Sequence, residues 1–312
     1  MSEYFLGGRN EGGALNEESG REQKIIFQVR YKKKQATGLS TIEEYQIDNK
    51  GSNFNLTRMP RRAQLVKNLS RFKLVTFDIT DTLLRFRKPP GVQYAETAAM
   101  MGVKNLDPNR LQKVFRDEFK AMAKKYPNFG SNSKEISWQE WWVQLVHNVF
   151  KRIDDNLPQQ QIRGISERLF EQYRSNQCYA HIEGNLELLE TIRSTCKYVG
   201  VISNTDPGLE RVLRDMNIRQ NFDFVYTSYD LGVEKPHRGA FLKPLENYHL
   251  NPQEALHIGN LYEKDYLGAL NAGWSGLLVT QSMDEAKKAK PTQVYTSLKE
   301  MHNALETTDI KW

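Results

Sequence analysis

Apolar residues fall into two regimes along this chain. Between residues 87 and 183 they recur at helical spacing. Leu111, Val114, Phe115, Phe119 and Met122 form one stripe. Trp138, Trp141, Trp142, Leu145, Val149 and Phe150 form a second, and Ile162, Ile165, Leu169, Phe170 and Tyr173 a third. Residues three and four apart share a helix face, so these stripes predict packed helices. Strand signals are few, so the stretch reads as a helical insert. The turn Tyr126-Pro127-Asn128-Phe129-Gly130 separates two of its helices. The tryptophans sit at helical spacing, which predicts that they pack the interior of the insert.

After Gly184 the pattern alternates. Helices are expected at Asn185–Thr195, Pro207–Met216, Arg238–His249 and Tyr262–Asn271. Strands are expected at Tyr198–Ser203, Phe224–Thr227, Ala255–Ile258 and Gly276–Thr280. An earlier apolar run, Phe72 to Phe77, supplies one more strand. Strands alternating with helices predict right-handed crossovers and an α/β fold, with a parallel sheet covered on both faces. Residues 283–312 read as helical and peripheral, and no internal repeat is present. Residues 1–58 differ in kind. Gly, Asn, Glu, Ser and Lys dominate there, with one apolar patch at Ile25, Ile26, Phe27 and Val29. That composition predicts a disordered extension holding at most one strand or hairpin. The expected division is therefore 1–58 extension, 59–86 and 184–312 α/β core, and 87–183 helical insert.

Charge alters this picture little. The net charge is +6, and Arg58, Arg61, Arg62, Lys67, Arg71 and Lys73 carry six positive charges with no acid between Arg58 and Lys73. Phe72 is the single aromatic residue among these basic side chains, so a solvated lead-in to the first strand is expected rather than a nucleic-acid surface. No run approaches the roughly 20 apolar residues needed to span a bilayer, and the first residues lack an apolar leader segment. Cys178 and Cys196 show no metal-ligand spacing and are expected as reduced thiols. An intracellular, cytoplasmic protein is expected, with mitochondrial association left open and no membrane or nucleic-acid partner.

The chemistry gathers at strand ends. Phe77-Asp78-Ile79-Thr80-Asp81-Thr82 closes the first strand on a carboxylate, which can serve as nucleophile, metal ligand or helix cap. Val201-Ile202-Ser203-Asn204-Thr205-Asp206 closes the next on a hydroxyl. Glu234-Lys235-Pro236 offers a lysine before a proline suited to begin a helix. His257-Ile258-Gly259-Asn260 leads into a polar loop ending at Asp265. Open parallel sheets bind ligands at such carboxyl ends.

The order Asp, Ser, Lys and acidic loop resembles the haloacid dehalogenase superfamily, from about Met59 to the C-terminus. Its motifs are DxDx(T/V), a Ser/Thr, a Lys and a GDxxxxD-like loop. Within it, the segments Asp78–Tyr94, Tyr126–Gly130, Trp138–Trp142, Val201–Leu213 and Leu256–Trp274 resemble the haloacid dehalogenase-like hydrolase domain-containing protein 3 group. The resemblance implies a Rossmann-like doubly wound parallel sheet with an inserted helical type-1 cap. It implies Asp78 as nucleophile, with Ser203 and Lys235 completing the catalytic set. Thr80, Asn204 and Thr205 would bind substrate. Asp78, the Thr80 carbonyl, Asn260 and Asp265 would hold Mg²⁺, with a small phosphorylated metabolite as the ligand.

Two residues depart from that pattern. Thr80 stands where phosphatases carry the acid–base Asp, and a hydroxyl is too weak an acid for the task. Asn260 stands where the acidic loop usually has Asp, so the metal site loses a charge. The expected activity is a slow or impaired Mg²⁺-dependent phosphatase or phosphotransferase. The alternatives are a catalytically degenerate binding protein of this fold and a metal-independent carbon–halogen hydrolase. Asp81 and Asp206 read as caps of the turns that follow.

Overall fold

The computed structural model describes residues 46–47, 53–54 and 61–312. Apart from residues 46–47 and 53–54, the stretch 1–58 expected to be disordered falls outside the described residues, as does the strand expected near Ile25. Within that stretch Gln46–Ile47 (β1) pairs antiparallel with Asn53–Phe54 (β2).

The sheet that carries the site has six parallel strands. They are Leu74–Phe77 (β3), Tyr198–Ser203 (β6), Phe224–Thr227 (β7), Ala255–Gly259 (β8), Ser275–Val279 (β9) and Val294–Tyr295 (β10). A separate ribbon joins Leu84–Phe86 (β4) to Tyr179–His181 (β5) antiparallel. The strand order is β10-β9-β8-β3-β6-β7. Helices cover both faces, so β3, β8 and β9 are buried at every position and read as unbroken apolar runs. The chain leaves β3 toward β6 and β7, then crosses to β8 on the other side. A crevice therefore opens at the carboxyl end of β3, where the winding reverses.

The expected helix Asn185–Thr195 and strands Tyr198–Ser203 and Phe224–Thr227 have those bounds in the structure. Three other elements differ for local reasons. The helix after Ser203 runs Leu209–Asp215, because the Asp206 carboxylate accepts from the Gly208 N–H at 2.8 Å before the helix begins. Pro236 starts no helix; the next one is Gly239–Tyr248. The segment after Asn260 opens as a π-helical turn, Tyr262–Leu267, before Gly268–Asn271 becomes α-helical. There the Leu261 carbonyl accepts from both Asp265 and Tyr266, at 2.9 and 3.3 Å. Such widened turns occur often at functional sites.

Residues 283–312 are not peripheral. β10 extends the sheet, and Leu298, Met301 and Leu305 of the last helix, Leu298–Thr307, are fully buried. That helix packs against the first described one, Arg61–Leu69 (α1). Asn68 joins them: its amide donates to the carbonyls of Leu305 and Thr308 at 2.7 and 2.8 Å and accepts from the Ile310 N–H. The basic lead-in is paired with acids of the same chain: Lys67 with Asp309 at 3.0 Å, and Lys73 with Glu254.

Four helices form the insert between β4 and β5: Pro90–Met100 (α2), Pro108–Lys125 (α3), Trp138–Ile153 (α4) and Gln159–Tyr173 (α5). Ser137 and Glu140 form a reciprocal capping box that starts α4. The predicted stripes bury Phe115, Phe119, Trp141, Leu145, Val149 and Ile165. Trp138 and Trp142 are only half-buried, so part of the tryptophan cluster faces outward from the insert's interior. The β4–β5 ribbon sits at the neck, so residues 179–181 pair with β4 of the core rather than closing the insert. Among the described residues no helix is long and apolar enough to cross a membrane.

Candidate active site at the end of the central strand

β3 delivers Asp78 to the sheet's carboxyl end, where its N–H donates to the Ile258 carbonyl at 2.9 Å. Asp78 as a residue is 7% exposed. Its Oδ1 accepts from Ser203 Oγ at 3.0 Å and from Lys235 Nζ at 2.9 Å. Its Oδ2 meets Thr82 Oγ1 at 3.5 Å, a marginal contact. Thr82 Oγ1 lies nearer the Asn260 Oδ1 atom, at 3.2 Å. One carboxylate oxygen is thus pinned by two donors, and the other is lightly held.

Lys235 is nearly inaccessible, at 2%. Its three ammonium hydrogens have three close acceptors: Asp78 Oδ1, Asp265 Oδ1 at 2.7 Å and the Ile202 carbonyl at 2.6 Å. Burial opposes its charge, but Asp265 and Asp78 more than offset this, and its pKa lies above the ordinary lysine value. Asn204 fixes the lysine's backbone. Its side chain accepts from the Lys235 N–H and donates to the Lys235 carbonyl, both at 2.8 Å. The structure therefore places Asn204 as a clamp on the Lys235 loop, with both ends of its amide occupied.

Asp265 stands behind the lysine. Burial opposes its ionisation, yet Lys235 and His257 hold its carboxyl well below the usual range. Its Oδ2 accepts from the Leu261 N–H at 2.9 Å. The carboxylate packs so closely under Gly259 that a Cβ there would lie 2.2 Å from Asp265 Cγ, which makes glycine obligatory at this position.

Sequence reasoning missed His257. It is fully buried in the middle of β8, with Nδ1 2.8 Å from Thr76 Oγ1 and Nε2 3.3 Å from Asp265 Oδ1. Burial, and Lys235 at 3.4 Å, push its pKa below the ordinary imidazole value. With the lysine hydrogens already committed, Nε2 carries the proton and donates to Asp265, while Nδ1 accepts from Thr76. A polar residue inside an otherwise apolar strand was the available signal.

The oxygens that could hold a divalent cation are Asp78 Oδ2, the Thr80 carbonyl and Asn260 Oδ1. All are hard donors of the kind Mg²⁺ takes. Thr80 makes a bridge to Leu84 through the Ile79 carbonyl and the Asp81 N–H, and neither bond uses its own carbonyl. The donor set fits Mg²⁺ in kind but brings a single carboxylate, and among the described residues no group of three or more His, Cys, Asp or Glu side chains gathers to hold a metal. Both oxygens of Asp265, the fourth ligand expected, are engaged by Lys235, His257 and the Leu261 N–H.

Thr205 and Asp206 lie one step outward, against the insert. Asp206 Oδ2 accepts from Trp142 Nε1 at 2.9 Å. Burial pushes its pKa up, against the pull of these hydrogen bonds and of Arg174. A second link joins Asn128 Nδ2 to the Ser228 carbonyl at 2.7 Å. The Tyr126–Gly130 turn is thereby seated on the core, with Phe129 at φ 56° packed against Trp141 and Trp142.

Residues 72–273 match the family model of haloacid dehalogenase-like hydrolases. The Rhythmically expressed gene 2 protein of Drosophila melanogaster is 34% identical over 261 residues, covering 79% of this chain and all of that protein. The human Haloacid dehalogenase-like hydrolase domain-containing protein 3 is 32% identical over 216 residues, covering 69% of this chain and 85% of that one. Among solved structures, L-2-haloacid dehalogenase from Xanthobacter autotrophicus matches with a TM-score of 0.53 at 15% identity, over 76% of this chain and 99% of that one. A HAD-hydrolase from Bacillus subtilis, YfnB, described as bound to magnesium, matches with a TM-score of 0.55 at 17% identity, over 75% of this chain and 99% of that one. With the six-stranded parallel sheet and the family match across most of its length, the chain belongs to the haloacid dehalogenase-like hydrolases.

Proposed function

We propose that the chain is a phosphoric monoester hydrolase or phosphotransferase of small phosphorylated metabolites, with Asp78 as the nucleophile. The observation that carries this reading is the asymmetry of the Asp78 carboxylate. Oδ1 is held by Ser203 and Lys235, while among the described residues Oδ2 has only the 3.5 Å contact to Thr82. In this reading a carboxylate oxygen attacks phosphorus, the P–O ester bond breaks and an aspartyl-phosphate forms. Lys235 and Ser203 turn their donors to the phosphoryl oxygens, where charge develops. Asp78, the Thr80 carbonyl and Asn260 would hold Mg²⁺, which when bound supplies charge neutralisation at the phosphoryl group.

The leaving oxygen then takes its proton from water, because Thr80 has no acidic proton to give. Water later attacks the phosphorus of the aspartyl-phosphate, the Asp78 O–P bond breaks and inorganic phosphate leaves, again without a base at position 80. General acid–base help is typically worth ~10²–10⁴-fold, so both steps are slow. The insert would act as a cap that excludes water from this chemistry.

The missing carboxylates at Thr80 and Asn260 favour a second reading, a binding protein built on a decayed site. The test is incubation of the full chain with Mg²⁺ and a panel of phosphorylated metabolites, beside Asp78→Asn. Free phosphate and protein-bound phosphate are both measured. Turnover in the wild type alone supports the proposal. Bound phosphate without turnover assigns the stall to Thr80. Neither signal in folded protein favours the binding reading, and metal-free halide release from a 2-haloacid would move the assignment to carbon–halogen chemistry.

A further inference from the structure

Among the described residues, the side chains gathered at the Asp78 carboxylate bring hydrogen bonds but no acidic proton. Ser203 Oγ and Lys235 Nζ hold its Oδ1. Thr82 Oγ1 stands between its Oδ2 and Asn260 Oδ1, and Thr80 follows Asp78 two residues along the chain. Serine and threonine hydroxyls and an asparagine amide are not acids near neutral pH. A lysine ammonium has an ordinary pKa of about 10.4, and the three hydrogens of Lys235 already meet Asp78, Asp265 and the Ile202 carbonyl.

The acids nearby are turned to other work. His257 is fully buried and Asp265 is 1% exposed. His257 lies between Thr76 and Asp265, and both oxygens of Asp265 are engaged behind the lysine. The two oxygens of Asp206 accept from the Gly208 N–H and Trp142 Nε1.

The consequence falls on the leaving group. Phosphoryl transfer passes through a loose transition state in which negative charge gathers on the leaving oxygen. An alcohol resembles water, whose pKa is about 16, and its alkoxide needs a proton as it departs. A carboxylic acid has a pKa of about 4 and departs as a stable carboxylate. General acid help is worth ~10²–10⁴-fold to a departing alkoxide and little to a carboxylate.

We infer that the substrate of this site is an acyl phosphate, a mixed anhydride of phosphoric acid and a carboxylic acid; the inference rests on the phosphoryl-transfer reading above. An Asp78 oxygen bonds to phosphorus, the bond from phosphorus to the acyl oxygen breaks, and its electron pair departs on the carboxylate with no proton moved. Water then bonds to phosphorus, the Asp78 O–P bond breaks, and both hydrogens of that water end on the phosphate. Thr80 costs the first of these steps nothing, because the leaving group asks for no acid.

The experiment varies the leaving group. The full chain with Mg²⁺ is given acetyl phosphate, phenyl phosphate and glycerol 3-phosphate, whose leaving groups resemble a carboxylic acid, a phenol and water, at about 4, 10 and 16. Release of each leaving group and acid-stable phosphate on the protein are measured, with the rates in Asp78→Asn subtracted. In the wild type, kcat/KM for acetyl phosphate should exceed that for glycerol 3-phosphate by ~10²-fold or more, with phenyl phosphate between them. Thr80→Asp supplies an acid and should narrow that ratio by ~10²-fold. Thr80→Asn has nearly the same shape as Thr80→Asp without the acid, and should keep the wild-type ratio. Asp81→Asn removes the one other carboxyl group within three residues of Asp78 and should keep it too. A ratio cancels whatever a variant does to both substrates alike. Thermal unfolding checks that each variant is folded, and the wild-type series stands without them.

Equal kcat/KM for the three donors, a preference for glycerol 3-phosphate, an unchanged ratio in folded Thr80→Asp, equal narrowing by Thr80→Asn, or selective loss of glycerol 3-phosphate turnover in Asp81→Asn overturns the acyl-phosphate assignment and leaves the hydrolase reading in place. Failure of all three donors to react at Asp78 overturns both.

Discussion

Lys235 and Asp265 form a 2.7 Å ion pair in which each side chain is 1% exposed. Taking two charges out of water is expensive, and their attraction offsets that cost only when the remaining hydrogen-bonding groups are satisfied. Here they are: the lysine also reaches Asp78 and the Ile202 carbonyl, and the aspartate also takes the Leu261 N–H. Lys235→Met would leave two buried carboxylates without their cation. Removing one partner of a buried pair costs roughly 3–5 kcal/mol. Urea unfolding at neutral pH should show a loss of that size, and a loss below about 1 kcal/mol would mean that water already reaches the pair.

His257 gives the fold a pH dependence of definite sign. In the folded chain burial and Lys235 lower its pKa, whereas in the unfolded chain it titrates near its ordinary value of 6.5. Below that value the unfolded state binds a proton that the folded state refuses. Stability is therefore retained above about pH 6.5 and lost as pH falls, with a slope approaching ~1.4 kcal/mol per pH unit from this one group. His257→Gln should flatten the curve between pH 7.5 and 5.5. Unfolding free energies at three pH values provide the check, and equal slopes in both proteins would mean that the folded imidazole takes up its proton near 6.5.

Thr80→Asp tests the proposed chemistry at its weakest point. Thr80 is 7% exposed and two residues from Asp78, in the turn bridged to Leu84. A carboxyl group there could protonate the leaving oxygen and then activate water. Phosphate release should rise ~10²-fold or more, with the aspartyl-phosphate shortened in lifetime. Quench-flow measurement of protein-bound phosphate reads both quantities. A longer-lived phosphoenzyme in Thr80→Asp would assign the slow step elsewhere.

How far the sequence reveals this site depends on where each residue sits. Asp78 and Ser203 are polar residues at the ends of apolar runs, so the pattern alone sets them at one edge of a parallel sheet. Lys235 needed the family resemblance, because a lysine before a proline in a loop has no periodicity to read. His257 occupies an interior strand position, and its meaning comes from Thr76 and Asp265 on neighbouring elements, which no local pattern encodes. The role of Asn204 is hidden in the same way: its two bonds go to a backbone 31 residues away. β4, β5 and β10 are two or three residues long, too short for a period of two to appear. The stripes of the insert were legible because its helices run 11 to 18 residues.

The Trp142–Asp206 hydrogen bond ties the insert to the loop that follows Ser203. Asp206 is buried and its carboxyl is already hard to ionise, so each donor it keeps matters. Trp142→Phe removes the indole N–H while keeping an aromatic ring beside Phe119 and Phe129. A hydrogen bond to a charged group is worth roughly 1.5–3 kcal/mol. Part of that loss should be local, because the Asn128 link to Ser228 still seats the insert on the core. Hydrogen exchange should therefore quicken at Gly208, whose N–H shares the same carboxylate, and along the first turn of the helix Leu209–Asp215. Protection in β8 and β9 should change less. A uniform loss of protection across the sheet would instead mean that the insert and core unfold as one unit, with no local opening at this seam.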